Sequence, residues 1–271
     1  MKLVRNATFV LSLLCCVIAN NARAEDGNNG QDITNPLTRF DIRYEYKNLP
    51  GSKKDNENVL TLRVDKPFKL SDKWQIATRL DIPLLLTDER SRDNPRGKHQ
   101  FGVADILAQA LVVNTPSEKF AWALGAQVIL PTASKDEMGD GKYRIVPTAG
   151  ARWTTDHIMK GSWFALAARW DKDFASNRSN SVKTNELQFA PMVNIPLPKQ
   201  WFINLFPSTD IRYNLGDKRK IDKGRWFVPA NAMIGKMVRK NMVASVEVGV
   251  PIIKEYRVYD FKTEFRFGIF F

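Results

Sequence analysis

Residues 259–271 read YDFKTEFRFGIFF, and the two faces of this stretch decide the fold. Tyr259, Phe261, Thr263, Phe265, Phe267, Ile269 and Phe271 fall on one side of a period-two pattern, with Asp260, Lys262, Glu264, Arg266 and Gly268 on the other. Successive side chains of a strand point to opposite faces, so the pattern is that of a β-strand with one apolar and one charged face. A soluble sandwich would bury such an apolar face in its core. Here the face is mostly aromatic and runs to Phe271, with no polar residue to cover it.

Eleven segments upstream repeat the alternation. They cover Phe40 to Tyr46, Leu60 to Val64, Trp74 to Leu84, Gly102 to Val113, Phe120 to Leu130 and Ile145 to Trp153, then Trp163 to Asp171, Leu187 to Ile195, Ile203 to Tyr213, Trp226 to Val238 and Met242 to Val250. The connections alternate in length. Polar stretches around residues 50–57, 87–100, 133–142, 174–183, 216–224 and 252–257 follow the odd-numbered segments. Shorter links around 69–73, 115–119, 155–161, 196–200 and 239–241 follow the even-numbered ones. Long loops at one end and short turns at the other, with strands of about ten residues, are the pattern of a transmembrane barrel. The expected fold is therefore all-β: a transmembrane antiparallel up-and-down β-barrel of about 12 strands. Its final strand should pair with Phe40 to Tyr46, with Phe261, Phe265 and Phe267 facing lipid and Lys262, Glu264 and Arg266 facing the lumen.

At the other end, Lys2 and Arg5 precede an apolar run from Ala7 to Ala19, and Ala22-Arg23-Ala24 has the small-x-small form of a cleavage site. The run is about thirteen residues, too short for a spanning helix of about twenty. Residues 1–24 are expected to be a cleaved signal peptide, 25–36 a flexible N-terminal lead-in and 37–271 the barrel. An inward-folding plug is the alternative for the Asn- and Gly-rich lead-in. Removing the leader takes both cysteines and changes the net charge from +12 to +9. The rest has no thiol for a disulfide framework or a thiolate metal site. A basic exported chain meets anionic lipopolysaccharide, so nucleic acid is not expected as a partner.

Both signs of charge share the polar faces. Arg43, Arg63, Arg79, Arg152, Arg169, Arg212 and Arg266 lie there with Asp41, Glu45, Asp65, Asp81, Asp105, Asp171, Asp210, Glu247 and Glu264. Such a mixture suits a lumen in which charges pair across neighbouring strands. Trp74, Trp122, Trp153, Trp163, Trp201, Trp226 and Tyr213 sit near segment ends as candidates for interfacial girdles. A basic loop cluster, Lys218, Arg219, Lys220, Lys223 and Arg225, points to lipopolysaccharide or to a vestibule that concentrates anions.

Two resemblances follow from these residues. The closing strand resembles the terminal-Phe strand of outer-membrane barrels, which implies recognition of Phe271 by the barrel-assembly machinery. Phe101-Gly102-Val103-Ala104-Asp105, Leu130-Pro131-Thr132, Gly139-Asp140-Gly141-Lys142-Tyr143 and Pro147 resemble the outer-membrane family associated with meta-pathway phenol degradation. The chain departs from that pattern at Ala104 and Ala133, where the family has Gly. The resemblance implies a channel or transporter for small aromatic or apolar solutes in the Gram-negative outer membrane. From the residues alone, Asp105 is expected to pair with an arginine across the lumen.

The same sequence argues against catalysis. A serine hydrolase needs a base beside its nucleophile, and the two histidines, His99 and His157, fall in a long loop and a short turn without a neighbouring serine. Asp136 to Gly141 lacks the ligand spacing and closing Glu of a calcium loop, and Gly139 to Lys142 lacks a Ser or Thr after its lysine. No catalytic residue, metal or cofactor is expected. Besides the aromatic-solute channel, a porin for small anions or acidic oligosaccharides and a structural barrel with a closed lumen remain open.

Overall fold

The structure, a computed structural model, describes residues 28–49, 56–88, 94–177, 183–217 and 222–271. Fourteen strand segments, β1 to β14, run in order: Arg39–Asn48, Asn56–Lys69, Trp74–Thr87, Gln100–Val103, Ile106–Ser117, Phe120–Leu130, Lys142–Thr155, Ser162–Ser176, Asn185–Leu197, Trp201–Leu205, Ile211–Asn214, Trp226–Arg239, Met242–Lys254 and Phe261–Phe270. β4 and β5 both pair with β3, and β10 and β11 both lie between β9 and β12. Each pair is one interrupted stave, which gives a closed antiparallel barrel of twelve staves. Closure is made by β1 and β14, in register from Arg39 opposite Phe270 to Asn48 opposite Phe261. The expected pairing of first and last strands is thus present.

The alternation places opposite chemistries on the two surfaces. Phe261, Phe265 and Phe267 are exposed on the outside, Phe265 by 53%, while Lys262 and Arg266 of the same strand are 2% and 3% exposed. Ile42, Leu80, Leu124, Leu166, Ile234 and Val248 continue the outer apolar band around the barrel. Water would penalise such a surface and hydrocarbon does not. No helix among the described residues is long and apolar enough to cross a membrane. At the short-turn end Trp74 packs edge-on against Trp122 at 5.5 Å, and Trp153 stacks on Phe164 at 5.8 Å. At the long-loop end Tyr213 meets Trp226 at 4.8 Å. Trp163 departs from its expected girdle role: it is 7% exposed and packs inward with Ala165, Ala167, Ala190 and Met192, because its position on β8 has lumen parity.

Both stave interruptions depart from the continuous segments expected there. Phe206 adopts φ 50° and Pro207 has no N–H for a ladder bond, so the backbone leaves the sheet between β10 and β11. Pro207, Ser208, Thr209 and Asp210 turn into the lumen as a result. The N-terminal segment takes the plug course rather than that of an external lead-in: residues 28–37 enter the barrel from the short-turn end, with Asn29, Asp32 and Thr34 buried. Residues 1–27, the expected leader and the start of the lead-in, lie outside the described residues.

A charge on the outer band should be costly where one on the inner face is paired. Phe265→Lys is expected to lower stability by at least about 2–4 kcal/mol, the cost of Lys at the bilayer midplane. Urea titration of barrels refolded in lipid vesicles reads this directly.

Candidate functional site in the lumen

The interior has two unlike walls. Strands β14, β1, β2 and β3 carry the charged one. Arg63 donates to both oxygens of Asp81 at 2.7 and 2.6 Å, and Arg79 donates to both oxygens of Asp65 at 2.8 and 3.0 Å. Arg39 adds a further ion pair to Asp65 at 2.6 Å. Between β1 and β14 the register sets like charges opposite each other, Arg43 facing Arg266 and Glu45 facing Glu264. The ion pairs there run diagonally instead, Arg43 to Glu264 at 3.3 Å and Arg266 to Asp41 at 3.0 Å. The wall from β5 to β9 carries small apolar patches, with Leu111, Val113, Ala121, Ala123, Ala165, Ala167, Ala190 and Met192 all buried there, beside the buried Gln109–Gln127 pair and Thr148.

A second ionic knot ties the inward turn to the closing strand. Lys262 Nζ reaches Asp210 at 2.5 Å, Glu247 at 2.8 Å and Glu45 at 4.0 Å. Ser208 also donates to Glu247 at 3.0 Å. Arg212 lies 3.6 Å from both Asp210 and Glu186, and Arg144 pairs with Asp171 at 2.8 Å. Arg169 stands apart. Its guanidinium donates to Thr209 Oγ1 at 2.8 Å, and among the described residues no carboxylate lies within ion-pair distance of it.

Residues 28–37 form a strap across the short-turn end of this lumen. Arg152 pairs with Asp32 at 3.0 Å, Arg266 donates to Asn29 O at 3.1 Å, and Arg39 donates to Gly30 O. Ile33 packs against the Trp163, Ala165 and Ala190 cluster and against the Ala77, Leu111 and Ala123 cluster, while Leu37 packs near Phe202 and Phe270. Gly150 makes the room: a Cβ there would lie 2.6 Å from Ile33 Cδ1. Above the strap is a cavity of about 190 Å³, bounded by Gly30, Gln31, Ile33 and the 207–210 turn.

Of the candidates read from sequence, Arg43, Arg63, Arg79, Arg169 and Glu264 line this cavity. Arg266 and Arg152 hold the strap, and Arg212 braces Asp210. Asp105 does not take the arginine expected for it. Its carboxylate accepts backbone N–H groups from Ala133 at 3.2 Å and Asp140 at 3.0 Å, at the break between β4 and β5. Ser134 N–H reaches Val103 O at 2.9 Å, and Thr132 Oγ1 accepts from Ile106 at 2.9 Å. A Cβ on Gly139 would sit 2.5 Å from Asp105. The three short motifs at 101–105, 130–132 and 139–143 thus converge on one loop-end cap. Lys218, Arg219 and Lys220 lie outside the described residues. Arg225 donates to Asn214 O at 2.7 Å and Gly216 O at 2.8 Å, bracing its own loop. His99 and His157 are exposed in a long loop and a short turn, at opposite ends of the barrel.

Those converging motifs lie within the match to a known family. The family described as "Putative MetA-pathway of phenol degradation" matches residues 23–206. The chain belongs to this family. No curated protein sequence matches the chain significantly. Among solved structures the fold is similar to the NanC porin, with TM-score 0.53 at 12% identity over 86% of this chain and 98% of that one. It is also similar to the KdgM porin, with TM-score 0.50 at 13% identity over 86% and 99%. The fold is that of outer-membrane porins.

The sequence places Lys262 on the lumen face without marking its central role, and does not mark Asp32, because each needs partners from distant strands. Lys262→Met would leave buried Glu247 without a cation and Asp210 with Arg212 alone, a change expected to cost about 3–5 kcal/mol. It should be visible as a lowered urea midpoint in vesicles. Gly150→Val and Asp32→Ala should each free the strap, seen as faster hydrogen exchange of residues 28–38 with the β1–β14 seam still protected.

Proposed function

We propose that this chain is an outer-membrane channel for small, aromatic or apolar solutes, with residues 28–37 closing it in the state described. The observation that carries this reading is the apolar inner wall of β5 to β9. A general aqueous pore gains nothing from buried patches of Leu, Val, Ala and Met, whereas an apolar solute is desolvated against them. Membership of a family described by phenol degradation supports the same solute class. Twelve strands make a barrel between the side-chain-filled eight-stranded and the water-filled sixteen-stranded types, so a narrow path is the expected geometry. Lipid and lipopolysaccharide around the outer band, export by residues 1–24 and assembly through Phe271 belong to this reading.

The strap itself favours a second reading, a structural barrel with a permanently closed lumen. Deletion of residues 28–37 separates the two. As a channel, the deleted form should give larger and more frequent conductance steps in planar bilayers than the full chain. Liposomes carrying it should take up an aromatic solute faster than liposomes carrying lipid alone. A silent deletion variant that is folded by gel mobility would favour the structural barrel and overturn the channel.

A further inference from the structure

We propose that the cavity above the strap is a binding pocket for a small aromatic carboxylate, with Arg169 as its anion anchor. The inference rests on the channel reading only for its physiological meaning, since the pocket is defined by geometry alone. The cavity walls present six cationic side chains, Arg39, Arg43, Arg63, Arg79, Arg169 and Lys262, against three anionic ones, Glu45, Asp210 and Glu264. Asp41, Asp65 and Asp81, which neutralise several of these arginines, are not among the lining residues. The pocket therefore sees guanidinium groups more than the carboxylates paired with them. Arg169 is the cation with no carboxylate of its own among the described residues, and its donated bond to Thr209 leaves other N–H groups available. A planar guanidinium holds a carboxylate by two parallel hydrogen bonds, which an ammonium group cannot do.

One side of the wall sets the other half of the ligand. Ala167, Ala190, Met192 and Ile33 line the same cavity, beside Arg169 on β8 and β9 and on the strap below. Alanine at two of these positions leaves flat space for a ring, and methionine adapts to the edge of one. A volume of about 190 Å³ suits a single substituted ring rather than a sugar oligomer. Charge at one end and an apolar body at the other define a benzoate-like anion. Neutral phenol would lack the charge, and acetate would lack the ring.

Calorimetric titration of benzoate into the full chain, refolded in detergent micelles at neutral pH, tests the pocket without requiring conduction. Benzoate should bind more tightly than either acetate or phenol. Arg169→Gln should weaken benzoate by about tenfold or more, as expected for loss of a charge-assisted contact. It should leave phenol unchanged, and Arg169→Lys should recover only part of the loss. Ala190→Leu, which fills the apolar side, should weaken benzoate and phenol together while sparing acetate. Each variant is first checked for the heat-dependent gel shift of a folded barrel. Equal binding of benzoate by wild type and Arg169→Gln, or equal binding of benzoate and acetate, would overturn the proposal, as would no binding at all. If benzoate binds as expected while the strap-deleted barrel stays silent in bilayers, the pocket stands and the channel reading fails.

Discussion

Every other feature of the molecule depends on the need to satisfy backbone hydrogen bonds where water is absent. In hydrocarbon an unpaired N–H or C=O costs several kcal/mol, so a sheet with free edges cannot persist there. The β1–β14 seam removes the edges, and once it is closed each strand must send alternate side chains into one enclosed space. Charges gathered on those inward faces then find most of their partners among one another. Arg63 with Asp81 and Arg79 with Asp65 answer that demand directly across a strand pair, while Arg43 and Arg266 answer it diagonally because closure sets them opposite each other. The electrostatics of the lumen follow from the topology.

The two inner walls give this interior a direction as well as a size. Small apolar residues on β5 to β9 leave space that the charged wall does not, and the chain itself uses part of it. Ile33 reaches both apolar clusters, while Asp32, Asn29 and Gly30 are held by Arg152, Arg266 and Arg39. The strap is thus an internal ligand, apolar at one residue and anionic at the next. The same pairing of chemistries recurs immediately above it, where the inward 207–210 turn meets Arg169. That turn arises from one local fault, a proline after a residue with positive φ, and it narrows the lumen without any added loop.

The family motifs make a different point about how short patterns acquire meaning. Residues 101–105, 130–132 and 139–143 are separate along the chain, and no spacing rule says that they touch. Asp105 joins them by accepting two backbone amides from the neighbouring loop, and Gly139 is required because a side chain there would collide with that carboxylate. The motif is therefore a cap for the loop end rather than a lining for the lumen. The expectation of an arginine partner for Asp105 failed for that reason: the strand breaks at Ala104 and turns its carboxylate to the loop.

Strand number, hairpin order, the lipid face and the closing pair were all legible in the sequence, because alternation has a period of two and is enforced locally by strand geometry. The inward arginines were legible for the same reason. Partner choice was not. Lys262 reads as one charge among many until β14, β13, β1 and the 207–210 turn bring Glu247, Glu45 and Asp210 around it. Trp163 reads as an interfacial aromatic until parity places it inside. Residues 28–37 read as a flexible lead-in with a plug as the alternative, since a polar, Asn-rich segment has no periodicity to reveal where it binds. The sequence by itself determined which residues face in and which face out. Only the tertiary structure decided which inward charges meet, which stays without a carboxylate, and what fills the space, because those contacts depend on barrel closure and register across strands far apart in the chain.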